Sequence, residues 1–509
     1  MDNIANLPDD VDALKAIVIA KQSQIAHLEY LVKAFKQVLF GRKSEKLDPD
    51  QFEFAMEDIE TAIAETEAEK DAGDETPKPV EKKPRAANRG ALPKHLPRIE
   101  EVIEPESAVC SCGGDLHVIG EDVSERLDVI PAQFRVIVTR RPKYGCRSCE
   151  GGISQAPAPE HIIQSGLPTE ALIAHVLVSK YADHTPLYRQ AQIYSRQGID
   201  LDRSTLANWV GKAAFELKPV FECLLGNLKK STKLYMDETR APVLDPGRGK
   251  TKTGYFWALA RDDRPWDGDD PPGVAYCYAP GRSGSFGEKF LDGFTGILQV
   301  DGYAGYNRLT KSGRQGPPVQ LAYCWAHARR KLYDVAKNST APIAEEGLKR
   351  IAELYRIEAE IKGQSAEARL AVRREQSAPC IDAFELWLTR QRRSVSGKSP
   401  LGVALRYIAR FWNGLTLFLS DGRIEMDNNA VERTIRPIAL NRKNALFAGH
   451  DTGAQNWGII ASLIESAKLN KIEPQAYITA TLKAIVAGHR QSQIESLLPW
   501  NHTAEITPV

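Results

Sequence analysis

Three acids spaced across the second half of a 509-residue chain carry the chemistry that this sequence can do: Asp237, Asp301 and Glu432. Asp237 and Asp301 each close an apolar, β-type run, Lys233-Leu234-Tyr235-Met236 and Gly296-Ile297-Leu298-Gln299-Val300, while Glu432 lies in a helical run from Ile424 to Pro437. Carboxylate oxygens in that number suit Mg2+ or Mn2+. Two such ions, about 3.5–4 Å apart, would clamp the attacking and leaving oxygens of a phosphodiester. Water is then the first nucleophile, and a freed 3′-hydroxyl can be the second. Each carboxylate must be ionised and share a cation, so loss of any one should nearly abolish activity.

The helical run sets the surroundings of Glu432. Asp427 or Asn428 can cap its start and Pro437 marks its end. Residues four apart share a face, which aligns Asn428, Glu432 and Arg436, with Arg433 beside them. An exposed helix with ordinary charge pairs is the alternative reading. Arg433, Arg436, Arg442 and Lys443 lie close to Glu432 in sequence and could hold substrate phosphates. His327 and Asn428 are candidate neighbours of the site, a structural core histidine being the alternative for His327. Glu238 points away from Asp237 along a strand and is not expected as a ligand. Asp262 and Asp263 read as solvated acids of a polar turn. Gly247-Arg248-Gly249-Lys250-Thr251 imitates the end of a phosphate loop, but Leu244 stands where the first glycine belongs.

The acids must be positioned by a sheet. Strands are expected at Lys233–Thr239, Gly254–Ala260, Val274–Tyr278, Gly296–Asp301 and Leu321–Trp325, with helices at about Gly284–Leu291 and Ala326–Lys331. This order matches an RNase H-like sheet, in which the first and fourth strands lie side by side and bring Asp237 next to Asp301. A helical insertion at about 340–420 still lets Glu432 return beside the sheet. Two further helices, Trp457–Leu469 and Pro474–Ala487, carry no readable role.

The front half has a different character. Residues 13–40 form a helix with an apolar stripe broken at Lys21 and Gln24, which suits a short coiled coil and self-association. An acidic stretch and then a Pro-rich basic one follow, and these read as a flexible linker. Cys110-Ser111-Cys112 and Cys146-Arg147-Ser148-Cys149 bracket a strand-rich segment that includes Phe134–Val138. The two pairs can close a structural zinc site through Cys110, Cys112, Cys146 and Cys149, although the first spacing is tight and His117 could substitute. Residues 186–210 have the layout of a helix-turn-helix, whose second helix would offer Arg203, Ser204, Thr205 and Asn208 to a DNA groove. Many helical hairpins share that layout.

The domain reading is 1–47 coiled coil, 48–93 linker, 94–155 zinc-finger-like β module, 156–227 helix-turn-helix region, 228–450 catalytic domain, and 451–509 C-terminal helical domain. The fold class is multidomain α+β. With 42% hydrophobic residues and a formal net charge of +1, the chain is globular, and its total charge does not announce a nucleic-acid partner. No membrane span or apolar signal core is readable, so a cytoplasmic location is expected, and in a reducing compartment the clustered cysteines favour metal over disulfides.

At this point the sequence resembles the insertion-sequence sixty-six family of bacterial DDE transposases. The matching stretches are FGRKSEKL, GALPKHLPR and RPKYGCRSC in the front half. In the core they are YMDET, QVDGYAGYN, CWAHARRKLYD, DNNAVERTIRP and NRKNALFAG. The resemblance covers nearly the whole chain in the same order. It implies that Asp237, Asp301 and Glu432 are the catalytic triad, that the cysteine set is a zinc-finger-like module, and that the first helix is a leucine-zipper segment. It further implies binding of terminal inverted repeats, strand cleavage and transfer into target DNA, nucleoid association and small accessory proteins of the same element. The C-x-C pair departs from the family's usual C-x2-C. A non-catalytic DNA-binding derivative and a plain RNase H-like nuclease are the rival readings.

Overall fold

The computed structural model describes residue 98 and residues 133–145, 153–164, 166–245, 250–311, 319–337, 340–445 and 448–502. The expected coiled coil, the linker, the imitation phosphate loop at its glycines, and Cys110, Cys112, Cys146 and Cys149 with their zinc lie outside the described residues. The chain divides into two units after Ala156.

In the first unit, β1 (Lys143–Gly145) pairs antiparallel with β2 (Ile153–Gln155). Cross-links at the base of this ribbon run from Arg141 Nη1 to the Ala156 carbonyl at 2.8 Å and from Gln155 Nε2 to the Arg141 carbonyl at 2.9 Å. The strand expected at Phe134–Val138 does not form, and Val136, Ile137 and Val138 are exposed. A β-branched run becomes a strand only when a neighbouring strand completes its hydrogen bonds. Among the described residues none pairs with this one.

The second unit opens with α1 (Glu170–Tyr181), α2 (Leu187–Ser195) and α3 (Arg203–Lys229). Thr169 and Asp202 cap α1 and α3 by accepting from Leu172 N and Ser204 N at 3.3 and 2.7 Å, which satisfies amides that have no intrahelical partner. The turn between α2 and α3 contains Gly198 at φ +77°, a left-handed conformation that favours glycine. One face of α3, with Leu206, Trp209, Val210, Ala213 and Leu217, is buried.

The sheet has the order β5-β4-β3-β6-β7. β3 (Lys233–Asp245), β4 (Lys250–Arg261) and β5 (Gly273–Ala279) form an antiparallel meander, while β6 (Ile297–Val300) runs parallel to β3, and β7 (Gln320–Tyr323) runs parallel to β6. Its burial is continuous, with Leu234, Tyr235, Met236, Ala258, Leu259, Tyr276 and Leu298 inside. β3 does not stop at the acids, as the sequence suggested. Its pairing with β4 continues from Asp237↔Ala258 through Asp245↔Lys250, so a long hairpin arm extends beyond them. The arm is tied at Val243 to Ala448, with Leu244 N donating to Ala448 O at 2.8 Å and Ala448 N to Pro242 O at 3.0 Å.

Beyond the meander come α4 (Gly284–Phe290) and, after β7, α5 (Trp325–Ala336). The expected insertion is helical: α6 (Pro342–Glu360), α7 (Ala366–Val372), a π-helical turn at Arg373–Ser377, α8 (Ala378–Ser394), α9 (Pro400–Arg410) and α10 (Trp412–Leu415). Trp325, Phe384, Trp387, Leu405 and Phe411 join it to α5 in one apolar core. Then comes α11 (Asn429–Ala445), which continues through Pro437 instead of ending there. A proline inside a helix removes the donor to the carbonyl four residues back, that of Arg433, and crowds the preceding turn. Here Tyr276 Oη donates to the carbonyl of Thr434 in the turn preceding Pro437.

Helices α12 (Asp451–Leu469) and α13 (Pro474–Val486) complete the unit. α12 finds its role against the sheet edge. Ser466 Oγ and Ser462 Oγ accept from Val274 N and Tyr276 N of β5 at 3.0 and 2.8 Å. The side chains of one helix thus satisfy edge amides that would otherwise be open. Gly458 allows the approach, because a Cβ there would stand 2.6 Å from the Tyr276 carbonyl oxygen.

Candidate active site

The register of the parallel pair brings the first two acids together. Tyr235 is opposite Gln299, and Asp237 and Asp301 each follow their partner by two residues. Asp301 is the first residue beyond β6, and its Oδ1 accepts from Tyr303 N at 2.8 Å. Gly302 leaves room for the insertion to close over it, because a Cβ there would stand 2.6 Å from Tyr407 Oη.

Glu432 reaches the same place by a chain of hydrogen bonds. Gln299, on β6, donates through Nε2 to the carbonyls of Glu425 and Asp427 at 2.8 and 3.3 Å, and its Oε1 accepts from Glu425 N at 2.9 Å. Trp325 N donates to Met426 O at 2.8 Å. Asn428 is fully buried, and its Nδ2 donates to the carbonyl of Met236, the residue before Asp237, at 3.4 Å. Asp427 Oδ1 accepts from Asn429 N at 3.1 Å, and Glu432 lies in the first turn that follows. Burial, together with the carboxylates of Glu238 and Asp301 and more weakly Glu432, holds the Asp237 carboxyl well above its usual range. Three acids thus crowd one place at the sheet, where Asp237, the buried one, is costly to ionise beside its neighbours.

Glu238 faces the other way, as alternation along a strand requires. Its buried carboxylate accepts from Arg282 Nη2 at 2.6 Å and from Tyr306 Oη at 2.6 Å. The Arg282 guanidinium also stacks over the Tyr303 ring at 4.1 Å, and Tyr303 Oη donates to the Arg282 carbonyl at 2.6 Å. The turn carrying Asp301 is therefore braced against the opposite face of β3.

His327, in the first turn of α5, has Nδ1 3.8 Å from Glu432 Oε1, beyond hydrogen-bonding distance. Cys324, buried just before α5, accepts from Asn428 N at 3.3 Å. Cys324 is a candidate functional residue that the sequence reading does not name. The signal was its C-x2-H spacing to His327 across a helix start, which puts both side chains toward one neighbour. Gln299 was also missed, and nothing local in a strand residue announces a bond to a segment more than a hundred positions away.

The basic residues of α11 divide. Arg433, Arg436 and Lys443 are exposed, whereas Arg442 donates to Thr239 Oγ1 at 3.3 Å and to the Arg240 carbonyl, and so ties α11 to the hairpin arm. On α3, Arg203, Ser204 and Asn208 are exposed and Thr205 is half-buried. Asp262 and Asp263 are not solvated. Asp262 is buried in a two-pronged pair with Arg264 at 2.8 and 2.9 Å. Burial lifts the Asp263 carboxyl to about 6, against the pull of Lys233 and Arg261. Their turn folds back onto buried charges, which the local composition does not reveal.

A mixed sheet bearing clustered carboxylates, wrapped by helices and preceded by a helical front, is the architecture that known proteins can be compared with. A family model described as "Transposase IS66 family" matches residues 165–456, more than half of the chain, and the chain belongs to that family. Companion models match at 107–150, "zinc-finger binding domain of transposase IS66", at 27–100, "Transposase C of IS166 homeodomain", and at 462–500, "IS66 C-terminal element". Membership implies a transposase role with DNA as partner, use of a divalent metal, and zinc in the cysteine module. Two relatives from Sinorhizobium fredii, the uncharacterized proteins y4jD and y4qI, are 44% and 42% identical, each alignment covering 98% of both chains. No helix among the described residues is long and apolar enough to cross a membrane.

Proposed function

We propose that this chain binds the terminal inverted repeats of its own insertion sequence, cuts DNA strands at their ends and joins them to target DNA. The catalytic residues in this reading are Asp237, Asp301 and Glu432, on an RNase H-like core. The single observation that carries it is the register of β3 and β6, which puts Asp237 and Asp301 side by side, with α11 docked through Asn428 on the residue before Asp237. The three carboxylates fit two Mg2+ or Mn2+ ions. They are all oxygen donors, they repel one another, and Glu432 Oε1 is buried with no hydrogen-bond partner among the described residues. Bound there, the ions would supply positive charge to the attacking and leaving oxygens of a phosphodiester.

The protein's own part is to hold that constellation and to orient the DNA. Gln299 and Asn428 fix the approach of α11, while Glu238, Arg282 and Tyr306 fix the turn after β6. Arg433, Arg436 and Lys443 would take backbone phosphates beside the acids. Arg442 combines such a role with its bond to the hairpin arm. Arg203, Ser204, Thr205 and Asn208 would contact DNA in a helix-turn-helix manner, with the cysteine module adding an ordered basic surface and the N-terminal helix joining copies of the chain. Small accessory proteins of the element and a nucleoid location complete the reading.

The test is cleavage and joining of a labelled element-end duplex with Mg2+ or Mn2+, wild type against Glu432→Gln. Metal-dependent strand transfer that is lost in the variant supports the reading. Cleavage without joining would indicate a plain nuclease, and binding without chemistry a non-catalytic derivative.

A further inference from the structure

Glu432 is shared between two different donor sets. On one side are Asp237 and Asp301, all oxygen. On the other, Cys324 Sγ, a His327 ring nitrogen and a Glu432 oxygen lie within 4.8 Å of one another, and among the described residues this is the group whose geometry could hold a metal ion. The backbone explains why they meet. Cys324 is the residue before α5, and His327 follows three positions later on the same side of that helix, while Asn428 N donates to Cys324 Sγ and so draws the start of α11 against them.

Two features distinguish this cluster from ordinary packing. His327 Nδ1 and Glu432 Oε1 are both buried, and neither has a hydrogen-bond partner among the described residues. Buried polar atoms left that way are uncommon and point to an absent partner. The sulfur also accepts the backbone amide of Asn428 at 3.3 Å, which fixes its position toward the other two donors. One sulfur, one imidazole and one carboxylate form a softer set than three carboxylates, and that set selects Zn2+ over Mg2+. Bonds of about 2.0–2.3 Å would need only a small contraction of the cluster.

We propose that Cys324, His327 and Glu432 bind Zn2+ or a cation of similar softness, and that occupancy withdraws Glu432 from Asp237 and Asp301 and silences the acid site. The silencing half rests on the transposase reading above, whereas the binding half does not.

The binding half is tested on the full-length chain with Co2+ as a spectroscopic stand-in for zinc. Wild type should hold one more thiolate-bound Co2+ per chain than Cys324→Ser, seen as the thiolate-to-cobalt absorption band. His327→Gln should bind that ion at least about tenfold more weakly. The cysteine module contributes equally to all three proteins and cancels in the comparison. Equal stoichiometry and affinity in wild type and both variants would overturn the site. Should Cys324→Ser lose its native circular dichroism, the part-exposed His327 substitution decides alone. The silencing half is tested by adding Zn2+ to Mg2+-supported strand cleavage. Wild type should be inhibited, with Cys324→Ser needing at least about tenfold more Zn2+ for the same inhibition. Cobalt binding without zinc inhibition would overturn the switch. Because cobalt is read without DNA, an inactive wild type would count against the transposase reading and not against the cation site.

Discussion

Arg373 and Glu358 form a two-pronged buried pair, Nε to Oε1 and Nη2 to Oε2, both at 2.7 Å. The remaining donors of the same guanidinium go to the carbonyls of Phe418 at 3.0 Å, Asp421 at 3.1 Å and Ile424 at 2.8 Å. All five donors of a fully buried arginine are thereby used. Three of them hold the chain segment that leads to Asn428 and Glu432, and Arg373 itself begins the π-helical turn of the insertion. The helical insertion thus braces the approach of the third acid.

A lysine in that place keeps the charge and loses the fork. Arg373→Lys should lower the unfolding free energy by about 3 kcal/mol, since a buried carboxylate and backbone carbonyls are left short of donors. It should also reduce strand cleavage more than end-DNA binding, because Glu432 would be less well held. Thermal melting and a gel-shift assay beside the cleavage assay read the two effects separately. Cleavage at the wild-type rate in a destabilised variant would show that the brace serves the fold alone.

Glu238 offers a contrast with its neighbour Asp237. Its partners are Arg282 and Tyr306, on the face of β3 away from the acids. Glu238→Gln should retain divalent-cation binding at the acid site, whereas Asp237→Asn should lose it. Glu238→Ala should cost about 1.5–3 kcal/mol in stability through loss of charged hydrogen bonds. Calorimetric titration of Mn2+ into each variant, with melting curves alongside, checks both statements. Loss of Mn2+ binding in Glu238→Gln would move that residue into the ligand set.

How much of this could be read from the sequence follows from where each signal resides. The strands around Asp237 and Asp301 announce themselves because their neighbours are apolar and β-prone over several consecutive residues, and the order of those strands then fixes which ones are adjacent. The helix of Glu432 was legible from its spacing. Its extent was not: Pro437 reads as a stop, yet α11 runs through it to Ala445, packed so that Tyr276, on a distant strand, donates to the carbonyl of Thr434 in the preceding turn. The hairpin arm beyond Thr239 was hidden because Arg240, Pro242 and Asp245 look like a loop, and pairing with β4 overrides that composition. Asp262 and Asp263 looked solvated for the same reason. Their burial depends on Lys233, Arg264 and Arg261, contacts that no local pattern encodes.

The buried charge around Asp263 predicts a pH dependence of stability. Burial raises its folded value to about 6, against the ordinary aspartate value of 3.8. The folded state therefore holds this proton more tightly than the unfolded chain. The stabilisation is fully present below pH 3.8 and is lost as pH rises through about 6, at most about 3 kcal/mol in all. Lys233 has the opposite sign: burial lowers it from 10.5 to about 8, so its contribution is lost as pH falls through that value. Asp263→Asn cannot ionise, and should flatten the melting-temperature profile between pH 4 and 6.5 relative to wild type. Parallel profiles across that range would show that Asp263 titrates as it does in the unfolded chain.

The serines of α12 give the last prediction. Ser462 Oγ accepts from Tyr276 N at 2.8 Å and donates to Gly458 O at 2.6 Å, and Ser466 Oγ accepts from Val274 N at 3.0 Å while donating to Val274 O at 3.1 Å. Both serines are fully buried, so alanine would leave edge amides of β5 with neither protein nor solvent to bond. Each substitution should cost about 1–3 kcal/mol. The two together should add, within the coupling expected of neighbouring turns on one helix. Because β5 is the strand farthest from β7 and carries none of the three acids, Ser462→Ala and Ser466→Ala should lower the melting temperature while Mn2+ affinity at the acid site is unchanged. Melting curves and Mn2+ calorimetry on the single and double variants check this. A stability equal to wild type would mean that those amides find other partners when the hydroxyls are gone.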